Sequence, residues 1–300
     1  MSKSMWQGVI PAITTPFTED GQVDHEFLAR HALWQLDEGC SGILPLGSLG
    51  ESATLAFDEK VAIVRTLVKA LGDRAPVIVG IAALSTDEAV RLAKASKQEG
   101  AHGLMILPPY SYTTEWAEMG EAIRAVIRAT DLPVLLYNNP IAYKTDYTPE
   151  QIAELANEFP QVEAVKESSG DLRRLAAIQA LIGDRLVLMT GIDDAIVEGI
   201  AMGATGWIAG QVNAFPRESV ALFEGALKGG YPAVKELYDW FLPLLRLDVG
   251  PKFVQMIKLT QQYVDWGSER VRAPRLQLTG VEREAAVRVI EQGIKNRPEL

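Results

Sequence analysis

Apolar residues in this chain gather into eight short runs, separated by stretches in which apolar positions recur every three or four residues. The runs are GVIPAITTPF (8–17), GILPLG (42–47), PVIVGIA (76–82), GLMILP (103–108), PVLLYNN (133–139), VEAVKES (162–168), LVLMTG (186–191) and TGWIAG (205–210). The spacing predicts helices over FDEKVAIVRTLVKAL (57–71), STDEAVRLAKASKQEG (85–100) and TPEQIAELANEF (148–159). Ser85 or Thr86 ahead of Asp87 and Glu88, and Thr148 ahead of Pro149 and Glu150, are helix-start signals, and Gly100 is a helix-stop signal. Continuous apolar strands alternating with amphipathic helices imply a parallel sheet covered on both faces. Eight such units before residue 229 predict an α/β chain folded as a (β/α)₈ TIM barrel. A doubly wound open sheet is the alternative, but the first run ends in TTPFTEDG and lacks a G-x-G-x-x-G phosphate turn.

After residue 229 the alternation stops. The segments 231–247, 251–264 and 280–294 read as helices without strands, so the chain divides into a barrel over 1–229 and a C-terminal helical extension over 230–300, within one structural unit. Trp240, Phe241, Leu244 and Leu245 give the extension an apolar face that must pack on the barrel or on another subunit.

Net charge is -10, which argues against non-specific binding to nucleic acid or an anionic membrane. No apolar run is long enough to span a bilayer, and the N-terminal residues do not form a signal peptide, so a cytoplasmic location is expected. The single cysteine, Cys40, is expected to be a small buried residue. His25, His31 and His102 stand in no metal-binding spacing, and no metal is expected.

In a barrel the reactive groups stand at the C-terminal ends of the strands. Lys166 interrupts the sixth run, where a buried strand would carry another Val or Ile. Burying an ammonium is costly, and desolvation favours the free amine, a nucleophile that forms an imine with a ketone. A lysine paired with a carboxylate such as Glu167, or a strand boundary lying elsewhere, accounts for the same pattern. Tyr137 closes the fifth run and could relay a proton, or simply present its hydroxyl to water. The turn GSLGE (47–51) flanks a hydroxyl, Ser48, with Gly47 and Gly50, which allows close backbone approach to a carboxylate; Glu51 is read there as a helix cap. Tyr110, after Pro108 and Pro109, closes the fourth run.

Taken together, GSLGE (47–51), YNNP (137–140) and VKESSGD (165–171) resemble the dihydrodipicolinate synthase and N-acetylneuraminate lyase family of class I Schiff-base aldolases. The resemblance extends from GVIPAITTPF to the C-terminal helices. It implies that Lys166 is the Schiff-base lysine, Tyr137 the proton relay, and Ser48 with the backbone of Leu49 the clamp for the carboxylate of a 2-oxo acid. Gly47, Leu49, Gly50, Tyr110, Gly191 and Ile208 would complete the substrate site. It also implies a homo-oligomer, tetramer or dimer, and no cofactor beyond the covalent lysine imine.

The chain departs from the synthase pattern at three places. Leu49 stands where the synthases have a second threonine. Ser111 stands where they have a tyrosine, although Tyr112 is adjacent. Ala142 stands where they carry an arginine for the carboxylate of the aldehyde partner, with Lys144 two residues on. These departures point away from 4-hydroxy-tetrahydrodipicolinate synthase. Branches that accept an apolar residue at Leu49 include dehydratases and aldolases of 2-keto-3-deoxy sugar acids, and the YNNP…KESSGD combination with the aromatic-rich tail over 237–248 looks more like pyrroline-4-hydroxy-2-carboxylate deaminase. A relative that only binds a 2-oxo acid would keep the fold and lose the reactive residues.

Overall fold

The computed structural model describes residues 3–110, 112 and 115–300. Among the described residues seven parallel strands form one sheet: β1 (Gly8–Pro11), β2 (Ile78–Ile81), β3 (Gly103–Ile106), β4 (Val134–Asn138), β5 (Val162–Glu167), β6 (Val187–Thr190) and β7 (Gly206–Ala209). Their spatial order is β1-β7-β6-β5-β4-β3-β2. The segment between the two edges is the second apolar run. There Ile43 bridges to Val77 and Leu44 to Ala12, with backbone hydrogen bonds from Leu44 N to Pro11 O and from Ile43 N to Pro76 O. These bonds close the ring, and the fold is the expected barrel.

The strand expected over 42–47 is nevertheless only this pair of bridges. Pro45 has no N–H to donate, and Leu46 adopts a left-handed φ of 62°. The chain therefore leaves the ladder after Pro45, whose carbonyl still accepts from Gly80 N.

Strand side chains alternate between two apolar layers, as period-two geometry requires. Ile10, Ile78, Met105, Leu135, Ala164, Met189 and Ile208 meet inside the ring. Val79, Leu104, Leu136, Val165 and Leu188 face the surrounding helices. Among these, Phe57–Leu71 coincides with the apolar repeat that predicted it. Ser85 caps Thr86–Gln98 by accepting from Glu88 N, and Thr148 caps Pro149–Glu158 in a reciprocal box with Gln151. Gly100 turns the chain after its helix with φ 88°.

The helix Pro216–Leu245 is broken at Gly230, where φ is 64°, so its second part begins where the sequence predicted a separate helix. With Phe253–Tyr263 and Gly280–Lys295 it covers the β1 and β7 side of the ring. Phe241, Leu244 and Leu245 are fully buried there within the chain itself, and Trp240 Nε1 donates to Gly293 O. The apolar face of the extension is thus used largely on the barrel. Cys40 is buried, and burial raises its thiol pKa. Among the described residues no helix is long and apolar enough to cross a membrane.

His31 is buried beneath this extension, stacked near Trp34 and Trp266, with Nε2 against Asn213 O. Burial lowers its pKa from 6.5 to about 4. The folded state therefore holds the neutral ring, while the unfolded chain takes up a proton below 6.5. The stability contributed by the neutral ring is complete above pH 6.5 and is lost as pH falls toward 4, at roughly 1.4 kcal/mol per pH unit. Thermal unfolding of wild type and His31→Gln at pH 7 and pH 5 should give a smaller fall in melting temperature for the variant; equal falls would show that His31 does not set this slope.

Candidate functional site

The alternation that builds the ring decides what enters its C-terminal mouth. Leu135 and Tyr137 of β4, and Ala164 and Lys166 of β5, are the inward positions, and Tyr137 is the register partner of Lys166. Lys166 Nζ lies 4.3 Å from the centroid of the Tyr137 ring. The lysine is 6% exposed. Glu167, one residue on, points to the outer layer. It accepts from Asn138 Nδ2 at 3.0 Å and from Ser169 N at 2.5 Å, and stands 4.0 Å from Arg174. Burial raises its carboxyl pKa. Glu167 is therefore no partner for Lys166, and the sixth run continues as a strand through the lysine.

Lys166 opens into a cavity of about 570 Å³. Tyr137, Ser48, Gly47 and Leu49 line it, as do Tyr110, Gly191 and Ile208. Gly50 does not. A side chain at Gly50 would meet Ile13 O and Leu46 N at 3.1 Å, and the Gly50 carbonyl accepts from Thr15 Oγ1, so this glycine packs the turn from behind. Gly191 is a close-approach position: a Cβ there would lie 2.0 Å from Lys166 Cε and 2.3 Å from Ser168 Oγ. Only a bare backbone leaves room for the lysine.

The hydroxyl groups form a short array. Tyr137 Oη accepts from Asn139 Nδ2 at 2.9 Å, and Ser48 Oγ contacts Tyr143 Oη. Tyr143 packs edge-on to Tyr137, with centroids 6.1 Å apart, and tilted against Tyr110 at 5.4 Å. Burial raises the pKa of both Tyr143 and Tyr110. Tyr143 stands three residues beyond the YNNP proline, where no strand-end pattern marks it. Tyr112 is exposed and donates to Glu118, away from this cavity, and Ser111 lies outside the described residues.

Two carboxyls and a guanidinium also reach the wall: Asp193, Asp248 and Arg275. Asp193 is held by Trp207 Nε1 and by the backbone N–H groups of Gly210 and Gln211, at 2.7 to 3.2 Å. Burial still pushes it up to about 6. Asp248 is raised well above the usual carboxyl range, first by burial and then by Asp193. Arg275 stands 3.7 Å from Glu51. Asp248 and Arg275 come from the C-terminal extension, where no strand-end rule points to them.

Glu51 caps no helix with its side chain. It is fully buried at a left-handed φ of 54° and pairs with the buried Lys258 at 2.5 Å, while Arg272 N donates to its other oxygen at 3.1 Å. Its role is to anchor the GSLGE turn to the extension.

A family model described as the dihydrodipicolinate synthetase family matches residues 5–293. The chain belongs to this family. A 4-hydroxy-tetrahydrodipicolinate synthase of Agrobacterium fabrum is 32% identical over 283 residues, covering 94% of this chain and 96% of that one. One of Rhizobium meliloti is 33% identical over 240 residues, covering 80% and 82%. The crystal structure of dihydrodipicolinate synthase from Aquifex aeolicus superposes with a TM-score of 0.91 at 28% identity, covering 96% and 97%. The family consists of class I lyases and aldolases, and this chain is an enzyme of that type. Leu49 and Ala142, the latter in the helix Pro140–Tyr143, lie on the cavity wall, and Lys144 is turned outward to Ile141 O.

Gly191→Ala should fold and lose lysine reactivity. Borohydride trapping of pyruvate on the variant is expected to slow on the order of a hundredfold, the effect of displacing a reactive atom by about an ångström. Trapping at the wild-type rate would show that Gly191 does not confine Lys166.

Proposed function

We propose that Lys166 condenses with the keto carbon of a 2-oxo acid, or with the equivalent carbon of a cyclic imino acid, to give a lysine imine on which a neighbouring bond is broken. The observation that carries this reading is a buried lysine whose amine faces the Tyr137 ring at 4.3 Å inside a largely apolar cavity. Attack of the neutral amine, followed by loss of water from a keto acid or by cleavage of the C2–N bond that opens the ring of a cyclic imine, gives an iminium that draws electrons from the adjacent carbon. Tyr137, oriented by Asn139, moves protons at that carbon. Ser48 and the backbone of Leu49 hold the substrate carboxylate, with Gly47 allowing close approach. Tyr110, Gly191 and Ile208 shape the remaining wall. No cofactor enters the scheme, and the protein works as a homo-oligomer.

Within the family, elimination is favoured over condensation with a second, ionic partner. Ala142 presents a methyl group where the synthases bring an arginine, and Lys144 is directed away. Leu49 removes a hydroxyl from the proton path. The preferred substrates are accordingly pyrroline-4-hydroxy-2-carboxylate, deaminated after ring opening, or a 2-keto-3-deoxy sugar acid, dehydrated.

Borohydride trapping followed by peptide mapping should locate a pyruvate adduct on Lys166. Lys166→Ala should unfold at the wild-type temperature while showing no adduct and no turnover; turnover in this variant removes the assignment. Tyr137→Phe should still form the adduct but turn over about 10²- to 10⁴-fold more slowly, and an unchanged rate would end its relay role. Assays with the cyclic imine, the sugar acid, and pyruvate plus the synthases' aldehyde partner should give turnover with one of the first two. Turnover with the third alone would make the chain a synthase.

A further inference from the structure

The lysine imine accounts for loosening a C–H bond but not for expelling a hydroxyl, which leaves as water only if an acid supplies a proton. Asp248 lines the cavity from the turn Arg246–Asp248 that follows the long kinked helix. Its Oδ1 lies against Gly210, where a Cβ would come within 2.5 Å. The two wall carboxyls differ in how they are engaged. Asp193 accepts from three N–H groups, which hold it in place. The Asp248 carboxyl has, among the described residues, no hydrogen-bond partner, and it feels the charges of Lys166, Asp193 and Asp194. Asp194 is in turn near Arg246, at 3.6 Å. The residue is half-buried; desolvation of its carboxyl and the neighbouring aspartates hold Asp248 toward its protonated form, and only Lys166 acts the other way. In the iminium the positive charge stays on the Lys166 nitrogen, shared with C2, and it is neutralised when the C3 proton is removed.

We propose that Asp248 is the general acid of this site, protonating the departing C4 hydroxyl of a 4-hydroxy-2-oxo acid bound as its Lys166 imine. The inference rests on the elimination reading above and adds to it the residue that makes elimination possible. Tyr137, having given its proton to the water or ring amine displaced from C2 during imine formation, takes the C3 proton, and that electron pair forms the C2=C3 enamine while the iminium nitrogen becomes neutral. The nitrogen lone pair then returns to C2, the C2=C3 pair shifts to C3=C4, and the C4–O bond breaks with its electrons on oxygen. That oxygen takes the Asp248 proton and departs as water. Asp248 is left as a carboxylate and is reprotonated from solvent before the next cycle. No redox change occurs and no further reactant is consumed. The cyclic imine enters the same sequence, because transfer of its C2 to Lys166 opens the ring and leaves the C4 hydroxyl in place.

The test compares Asp248→Asn and Asp248→Glu with wild type in three assays: pyruvate trapping, turnover of a 4-hydroxy-2-oxo acid, and fluoride release from its 4-fluoro counterpart. Fluoride leaves without a proton, so it bypasses the acid. Asp248→Asn should trap pyruvate as wild type does, lose about 10²- to 10⁴-fold in turnover of the hydroxy substrate, and release fluoride at close to the wild-type rate. Asp248→Glu should recover much of the hydroxy turnover. Unchanged hydroxy turnover in Asp248→Asn, or equal losses with both substrates while trapping persists, would overturn the acid role and leave the imine reading intact. Loss of trapping in both variants would mean that Asp248 builds the site, which also overturns the proposal. Wild-type protein that traps pyruvate but eliminates neither leaving group would overturn both the elimination reading and the role of Asp248. Absence of an adduct in wild type would remove the imine itself.

Discussion

The contact between Glu51 and Lys258 joins the substrate turn to the rest of the molecule. Both side chains are almost completely buried, and Lys258 also donates to Arg270 O while lying over the Phe17 ring at 4.4 Å. Burial pulls the Lys258 ammonium down to about 8 even against the charge of Glu51. An ion pair this deep need not stabilise the fold relative to an apolar pair, yet removing one partner would leave a buried charge at a cost of about 3–5 kcal/mol. Its structural consequence is positional. Glu51 keeps a left-handed backbone, and the turn carrying Ser48 and Leu49 is held against the C-terminal segment 270–275.

The barrel supplies the opposite wall by a different means. There, parallel register sets Tyr137 beside Lys166, and strand alternation points both inward. The two halves of the cavity thus have separate origins: one is made by sheet geometry, the other by a charge contact between distant segments. Gly191 gives room to Lys166 within the barrel half, and Gly210 is where the barrel meets the C-terminal extension at Asp248.

The same division explains what could be read in the amino-acid sequence. Seven of the eight runs became strands because their apolar character and the helices between them are local signals. The run at 42–47 was overread because Pro45 and the left-handed Leu46 interrupt a ladder whose apolar pattern looks continuous. Lys166 and Tyr137 were legible because each is a polar residue at an inward position of an apolar strand. Asp248 and Arg275 were not, since they lie in loops whose neighbourhood is defined only by tertiary packing. Glu51 looked like a cap because its partner is hidden in another helix. Gly50 was grouped with the ligand turn by proximity in sequence, but its contacts face Ile13 and Leu46.

The separation between Glu51 and Lys258 has a further meaning for how the molecule is made. As the chain is synthesised from its N-terminus, every strand of the ring has been produced by residue 209, but the counterion of Glu51 is 207 residues downstream of it. Until that lysine emerges, the substrate turn has a bare carboxylate that cannot be enclosed cheaply. Maturation of the pocket is therefore tied to completion of the tail, and an unfinished chain can own all its strands, with Lys166 and Tyr137 among them, before it owns a working enzyme.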